Sequence, residues 1–177
     1  DVFYIKCENE NVLLDKFFLM WDKESPDIVT GWNIDTFDIP YLVNRAKRLF
    51  DEKKNPYRLL SPWRRLREYK MFGMGGRELQ TYEIYGVETL DYLAMYRKFT
   101  YINQESYRLD HIAFVELGER KLDYSEQGTL HLLYKNDYQK FIEYNIKDVE
   151  LVEQLERKMK LLEMVISLAY LSKVNYG

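Results

Sequence analysis

The chain has 177 residues, 46% hydrophobic and 16% aromatic, which supports one globular domain with a real core and excludes a disordered segment. A single cysteine, Cys7, and two histidines, His111 and His131, exclude an internal disulfide framework, a cysteine-built zinc site and a His-rich metal centre. The net charge of −3 is uneven: residues 45–77 hold eleven Lys/Arg and three Asp/Glu, a balance of +8 that leaves −11 elsewhere. That pattern suits a contact to phosphate, and a solvated charged face would produce it equally well. The 16 tyrosines fit core and rim packing, and also stacking platforms for bases.

In chain order, Val2–Lys6 is β-prone. Asn9 or Asn11 caps a helix whose apolar positions Leu13, Leu14, Phe17, Phe18 and Trp21 recur at helical spacing, and Ser25-Pro26-Asp27 ends it. Ile28–Trp32 reads as a short buried strand. Asp38 precedes Ile39-Pro40, and proline in a first turn favours a helix, here running to about Phe50 with Leu42, Ala46 and Leu49 inward. Asn55-Pro56 and Ser61-Pro62 break the chain. The glycine-rich stretch Met71–Gly76 reads as the tip of a projecting hairpin. Tyr82–Leu90 is a strand, followed by helices from Asp91 to Phe99, Leu109 to Leu117 and Tyr138 to Leu162. The long helix points Phe141, Ile142, Val149, Val152, Leu155 and Met159 inward. Leu161–Leu171 is apolar enough to require a packing partner. Strands alternating with helices indicate an α/β domain.

No apolar run reaches the length of a membrane span and no signal-peptide pattern is present, so the sequence reads as an intracellular protein. Its first residues look like a strand already under way, and its last stop without a terminating logic. A piece of a longer protein is expected.

Two stretches carry the chemistry. In Gly31–Asp38 a strand and loop hand over to a helix at Asp38, a usual place for a catalytic group. In Tyr144–Asp148 a phenol and a carboxylate four residues apart share one helix face. A carboxylate that binds metal beside a hydroxyl that orients water suits phosphoryl hydrolysis, and oxygen ligands favour Mg²⁺ or Mn²⁺. Each residue alone has a plain alternative: Asp38 as a helix cap, Asp148 on a solvated face, Tyr144 as a rim tyrosine.

Thr30–Tyr41 resembles the second exonuclease motif of family B DNA polymerases, an Asn, three residues, then Phe-Asp. Tyr144 to Asp148 is similar to the third motif, a Tyr, three residues, then Asp. Leu90–Leu93 and Leu168–Lys173 resemble segments of T-even-type bacteriophage DNA polymerases. The resemblance implies an RNase H-like 3′→5′ exonuclease fold, a mixed sheet flanked by helices with an inserted β-hairpin. Residues 1–162 would form the exonuclease domain, without its N-terminal strands, and 163–177 a helical segment leading towards the polymerase palm.

The implied function is proofreading by two-metal hydrolysis, with Mg²⁺ or Mn²⁺ held by Asp38 and Asp148 and water oriented by Tyr144. Asn33 and Phe37 would lie near the single-stranded 3′ end. Phe72, Gly73, Gly75 and Gly76 would belong to the hairpin that helps to separate primer from template. The implied partners are primer–template DNA, the remaining polymerase domains, a sliding clamp and a replisome, with no membrane, in the cytoplasm of an infected bacterium.

The family's first motif, Asp-x-Glu on an early strand, has no counterpart here. Asp22-Lys23-Glu24 follows a run with helical spacing only eight residues before Asn33, and Asp148-Val149-Glu150 already belongs to the third motif. The first motif is therefore expected before residue 1 or on another chain, and the isolated chain is expected to be inactive or nearly so. The competing reading is a non-catalytic module that keeps the fold to bind DNA or to scaffold a polymerase.

Overall fold

The computed structural model describes residues 3–51, 53–54, 56–72, 76, 78–119 and 130–175. Its contacts divide the chain into two compact units, one running to Asp91 and the other beginning at Tyr92. Both helices and small sheets are present, as the alternating pattern requires.

In the first unit, helix α1 (Glu10–Glu24) starts where the Asn9 side chain accepts a hydrogen bond from the Val12 N–H at 3.0 Å. It stops at Ser25, whose left-handed backbone (φ 44°) lets its N–H reach the Trp21 carbonyl at 2.8 Å. Leu14 and Phe18 face the core, while Leu13 is exposed. Phe3–Lys6 lie in no strand. Strand β1 (Ile28–Gly31) leads through a turn to helix α2 (Asp38–Leu49), which buries Ile39, Val43 and Ala46. Each such aliphatic side chain contributes roughly 1.5–3 kcal/mol when taken from water. A two-point bond from Arg45 to the Glu10 carboxylate, 2.6 Å at Nε, ties α2 to α1.

A 3₁₀ turn (Pro56–Leu60) precedes strands β2 (Leu66–Phe72) and β3 (Glu78–Ile84). These pair antiparallel from Leu66↔Ile84 to Phe72↔Glu78. Of its tip, Gly73, Met74, Gly75 and Arg77 lie outside the described residues. The expected single strand Tyr82–Leu90 is two. Gly86, at φ +86°, turns the chain between β3 and β4 (Glu88–Asp91), and β4 pairs in parallel with β1. Only glycine reaches that backbone region at low cost.

In the second unit, helices α3 (Tyr92–Phe99), α4 (Leu109–Leu117), α5 (Leu130–Asn136), α6 (Tyr138–Met159) and α7 (Leu161–Ser172) follow. Helix α6 packs against α4 and α5, and α7 against α3. The long helix ends earlier than its apolar pattern suggests, because Lys160 adopts φ 54° and its N–H closes on the Glu156 carbonyl at 2.8 Å. Leu155 is buried as expected, while Val149, expected inward, is 72% exposed and Leu151 lines the buried face. No helix among the described residues is long and apolar enough to cross a membrane.

A Cβ on Gly86 would meet the Pro62 Cγ at 2.7 Å. Gly86→Ala is therefore expected to destabilise the chain by about 1–3 kcal/mol, combining the left-handed backbone with overpacking. Urea unfolding measures this, and an unchanged midpoint would contradict the tight turn.

Candidate metal and nucleic-acid site

Strands β1 and β4 run in parallel with Gly31 opposite Asp91, so both reach their carboxyl ends together. In open α/β sheets that end is where ligands collect. The Thr30 hydroxyl fastens the pair by donating to the Leu90 carbonyl at 2.6 Å. The chain then turns through Asn33, which adopts a left-handed φ of 68°, a conformation asparagine tolerates better than most residues.

What holds the turn is Asp91, only 7% exposed. Its carboxylate accepts the Asn33 N–H at 3.1 Å with one oxygen and the Asp35 N–H at 3.2 Å with the other. Within the turn the Thr36 hydroxyl donates to the Asn33 side-chain oxygen, and the Thr81 hydroxyl donates to the Asp35 carbonyl at 2.5 Å. The Phe37 N–H returns to the Asn33 carbonyl at 3.1 Å, and α2 begins at the next residue.

Asp38 is the first residue of α2, after the cap position, which Phe37 occupies without a side-chain cap bond. It is exposed by surface area, yet the protein mass around it removes enough water to push its pKa above the usual carboxylate value. Its own backbone N–H opposes that shift, and the Asp91 charge adds to it. Asp35 is pushed up to about 6, first by burial and then by the charges of Asp91 and Glu88, against a hydrogen bond from Thr89. Burial and the Asp91 charge thus both disfavour the ionised forms of Asp35 and Asp38. Phe37, 63% exposed, stacks on Tyr41 with ring centroids 6.3 Å apart and planes 12° from parallel, an open aromatic platform.

The second unit carries the other expected residues. The Asp137 side chain caps α6 by accepting from the Lys140 N–H at 3.0 Å. Two turns on, Tyr144 is buried at 7% exposure, and Asp148 is half-buried one turn later on the same face. Lys147 beside it pairs with Glu119 at 2.6 Å. Phe72, at the end of β2, is 74% exposed, and Gly76 has φ 73°.

Asn33, Phe37 and Asp38 are thus brought together in the first unit, and Tyr144 and Asp148 in the second. Oxygen donors of this kind fit Mg²⁺ or Mn²⁺. Among the described residues no group of three or more His, Cys, Asp or Glu side chains is arranged to hold a metal ion. Asp22, the alternative first-motif aspartate, ends a helix and forms a two-point pair with Arg64, 2.9 Å at Nη2. Sequence reasoning missed Asp35 and Asp91 as site residues. The signal for Asp91 was an aspartate closing a strand, a buried position that an acid occupies only when backbone donors meet it.

The family described as DNA polymerase family B, exonuclease domain, matches residues 1–112. A DNA-directed DNA polymerase of Escherichia phage RB69 is 37% identical over 175 residues, covering 98% of this chain and 19% of the relative. That of Enterobacteria phage T4 is 34% identical over 176 residues, covering 99% and 19%. The DNA polymerase delta catalytic subunit of Caenorhabditis elegans is 30% identical over 176 residues, covering 96% and 16%. The chain therefore spans less than a fifth of the length of these relatives.

Because the folded-state pKa of Asp35 lies above its ordinary value, the folded chain binds more protons than the unfolded one between 3.8 and about 6. Stability from this group is thus lost as pH rises through that window. Asp35→Asn is expected to raise the melting temperature near pH 7, by on the order of 1–3 kcal/mol of stability, with the gain shrinking to nothing near pH 4. A gain that does not vary with pH would contradict this.

Proposed function

This chain belongs to the exonuclease-domain family of the family B DNA polymerases, and on that premise we propose that it forms part of a 3′→5′ proofreading exonuclease. The observation that carries the reading is the turn after β1, which delivers Asp38 to the start of a helix at the carboxyl end of a parallel strand pair. The domain it belongs to is RNase H-like, with the β2–β3 ladder as its inserted hairpin. Residues 1–162 form the exonuclease part, and 163–177 lead towards the polymerase palm.

The substrate is the single-stranded 3′ end of a primer–template. Phe37, backed by Tyr41, stacks on the terminal base, and Asn33 contacts the strand beside it. Asp38 and Asp148 would supply carboxylates to Mg²⁺ or Mn²⁺, whose charge would stabilise the oxygens of the phosphodiester. Tyr144, fixed by burial, orients the attacking water with its hydroxyl. Phe72 and the glycine tip lie where primer and template part. The remaining polymerase domains, a sliding clamp and a replisome are partners of the longer protein, which works in the cytoplasm of an infected bacterium.

Two carboxylates alone hold Mg²⁺ weakly, so full activity needs the acidic pair of an Asp-x-Glu strand outside these 177 residues. The absence of a three-donor cluster among the described residues favours a second reading, a non-catalytic module that binds DNA or scaffolds a polymerase.

One experiment addresses both halves of the reading. The purified chain is incubated with a single-stranded oligonucleotide labelled at its 5′ end. Binding is expected to weaken about tenfold in Phe37→Ala, the loss of one base–aromatic stack, with no Mg²⁺-dependent shortening beyond that of Asp38→Ala. Equal binding by Phe37→Ala would refute the platform. Clear Mg²⁺-dependent degradation that Asp38→Ala abolishes would refute the incomplete site.

A further inference from the structure

At the base of the β2–β3 ladder an open cavity of about 520 Å³ is lined by Arg58, Arg64, Arg65, Arg67, Tyr57 and Tyr85, with Leu66 and Glu68 completing it. All four arginines are exposed. We infer that this cavity is a second nucleic-acid site, separate from the 3′ end, that takes the phosphodiester backbone of a DNA strand. The inference rests on the DNA-acting reading only for the identity of the anion; the cavity itself stands on its own residues.

The cations are held apart by a rigid frame. Ser61 is fully buried, donates to the Tyr85 carbonyl at 2.6 Å and accepts the Trp63 N–H at 3.1 Å. Pro62 is pressed against Gly86, and the Tyr85 N–H donates to the Arg65 carbonyl at 3.1 Å. Arg64 sits at φ 58°, left-handed backbone that a branched or long side chain adopts at a cost of roughly 1–2 kcal/mol. Its guanidinium is steadied by Asp22, that of Arg67 by Glu83 at 2.7 Å, and the Arg65 guanidinium lies over the Tyr85 ring at 5.4 Å. A guanidinium whose face rests on a ring still offers an N–H edge, the geometry that grips phosphate oxygens in pairs.

Charge balance selects an anion. Glu68 is engaged by Lys47 at 3.0 Å, so five cations stand against three carboxylates, Asp22, Glu68 and Glu83. Internal pairs therefore leave an excess of positive charge in an otherwise acidic chain. The open mouth and the flanking Tyr57 and Tyr85 rings favour a continuous strand, whose bases can lie against aromatic faces, over an acidic peptide.

The test is fluorescence anisotropy of a labelled single-stranded oligonucleotide on the 177-residue chain in EDTA, so that no metal-dependent contact contributes. The double variant Arg58→Ala/Arg65→Ala is expected to bind at least about tenfold more weakly at low salt. Its slope of log K against log[salt] should be shallower by about 1–2, one phosphate contact per arginine. Arg58→Lys/Arg65→Lys should keep the slope and lose part of the affinity, which separates lost contacts from misfolding. Phe37→Ala removes no charge and should keep the parent's salt slope whatever it does to affinity, so failure of the 3′-end reading and failure of this one are told apart. Equal affinity and slope in the alanine variant would overturn the proposal. So would displacement of the oligonucleotide by poly-glutamate at equal charge concentration, which would assign the cavity to an acidic protein segment.

Discussion

The carboxylate of Asp91 fixes the turn on which the first half of the site depends. It lies at the end of β4, nearly out of water, and receives two backbone N–H groups from the turn that follows the neighbouring parallel strand. Hydrogen bonds to a charged acceptor are worth about 1.5–3 kcal/mol each, enough to hold Asn33 in left-handed backbone and to define where α2 begins. Burial pushes Asp35 and Asp38 towards protonation, and the same charge adds to it. A frame built from a buried acid therefore leaves the strand end electronegative.

The hairpin ladder rests on a different frame. Ser61, Pro62 and Gly86 lock the connection between the 3₁₀ turn and β2, and Trp21 reaches across to donate its indole N–H to the Leu60 carbonyl at 2.9 Å. Backbone geometry there is determined by buried hydrogen bonds and close packing rather than by the exposed ion pairs. Pairs such as Lys70 with Glu78, both largely exposed, contribute little to stability by comparison. The arginines can thus face an external anion without being needed to hold the fold together.

Much of this was legible in the chain. Helix α4 runs between the residues its apolar spacing marks, Asn9 caps α1, and Pro40 sits in the first turn of α2. The stretch around Asp38 was readable through its resemblance to a family motif and through Pro40 in a first turn. What escaped the sequence depends on partners far along the chain. Asp91 is a plain polar residue until the backbone of Asn33 and Asp35, more than fifty residues away, meets it. The β3–β4 break depends on a contact between Gly86 and Pro62, and Val149 faces outward because helical register is set by Leu151 and Leu155. Short α5 offered too few residues for a periodic signal.

The family assignment rests on residues 1–112 and on phage relatives matched along nearly the full chain, while the division of labour among Asp38, Tyr144 and Asp148 is a reading of their placement. The most direct measurement is single-turnover hydrolysis of a 3′-mismatched primer–template by a longer polypeptide that carries these residues together with an upstream Asp-x-Glu strand. The account predicts Mg²⁺-dependent release of the terminal nucleotide, slowed at least about a hundredfold by Asp38→Ala and by Asp148→Ala, with Tyr144→Phe slowed less. Hydrolysis that survives both aspartate substitutions at the parent rate would contradict it.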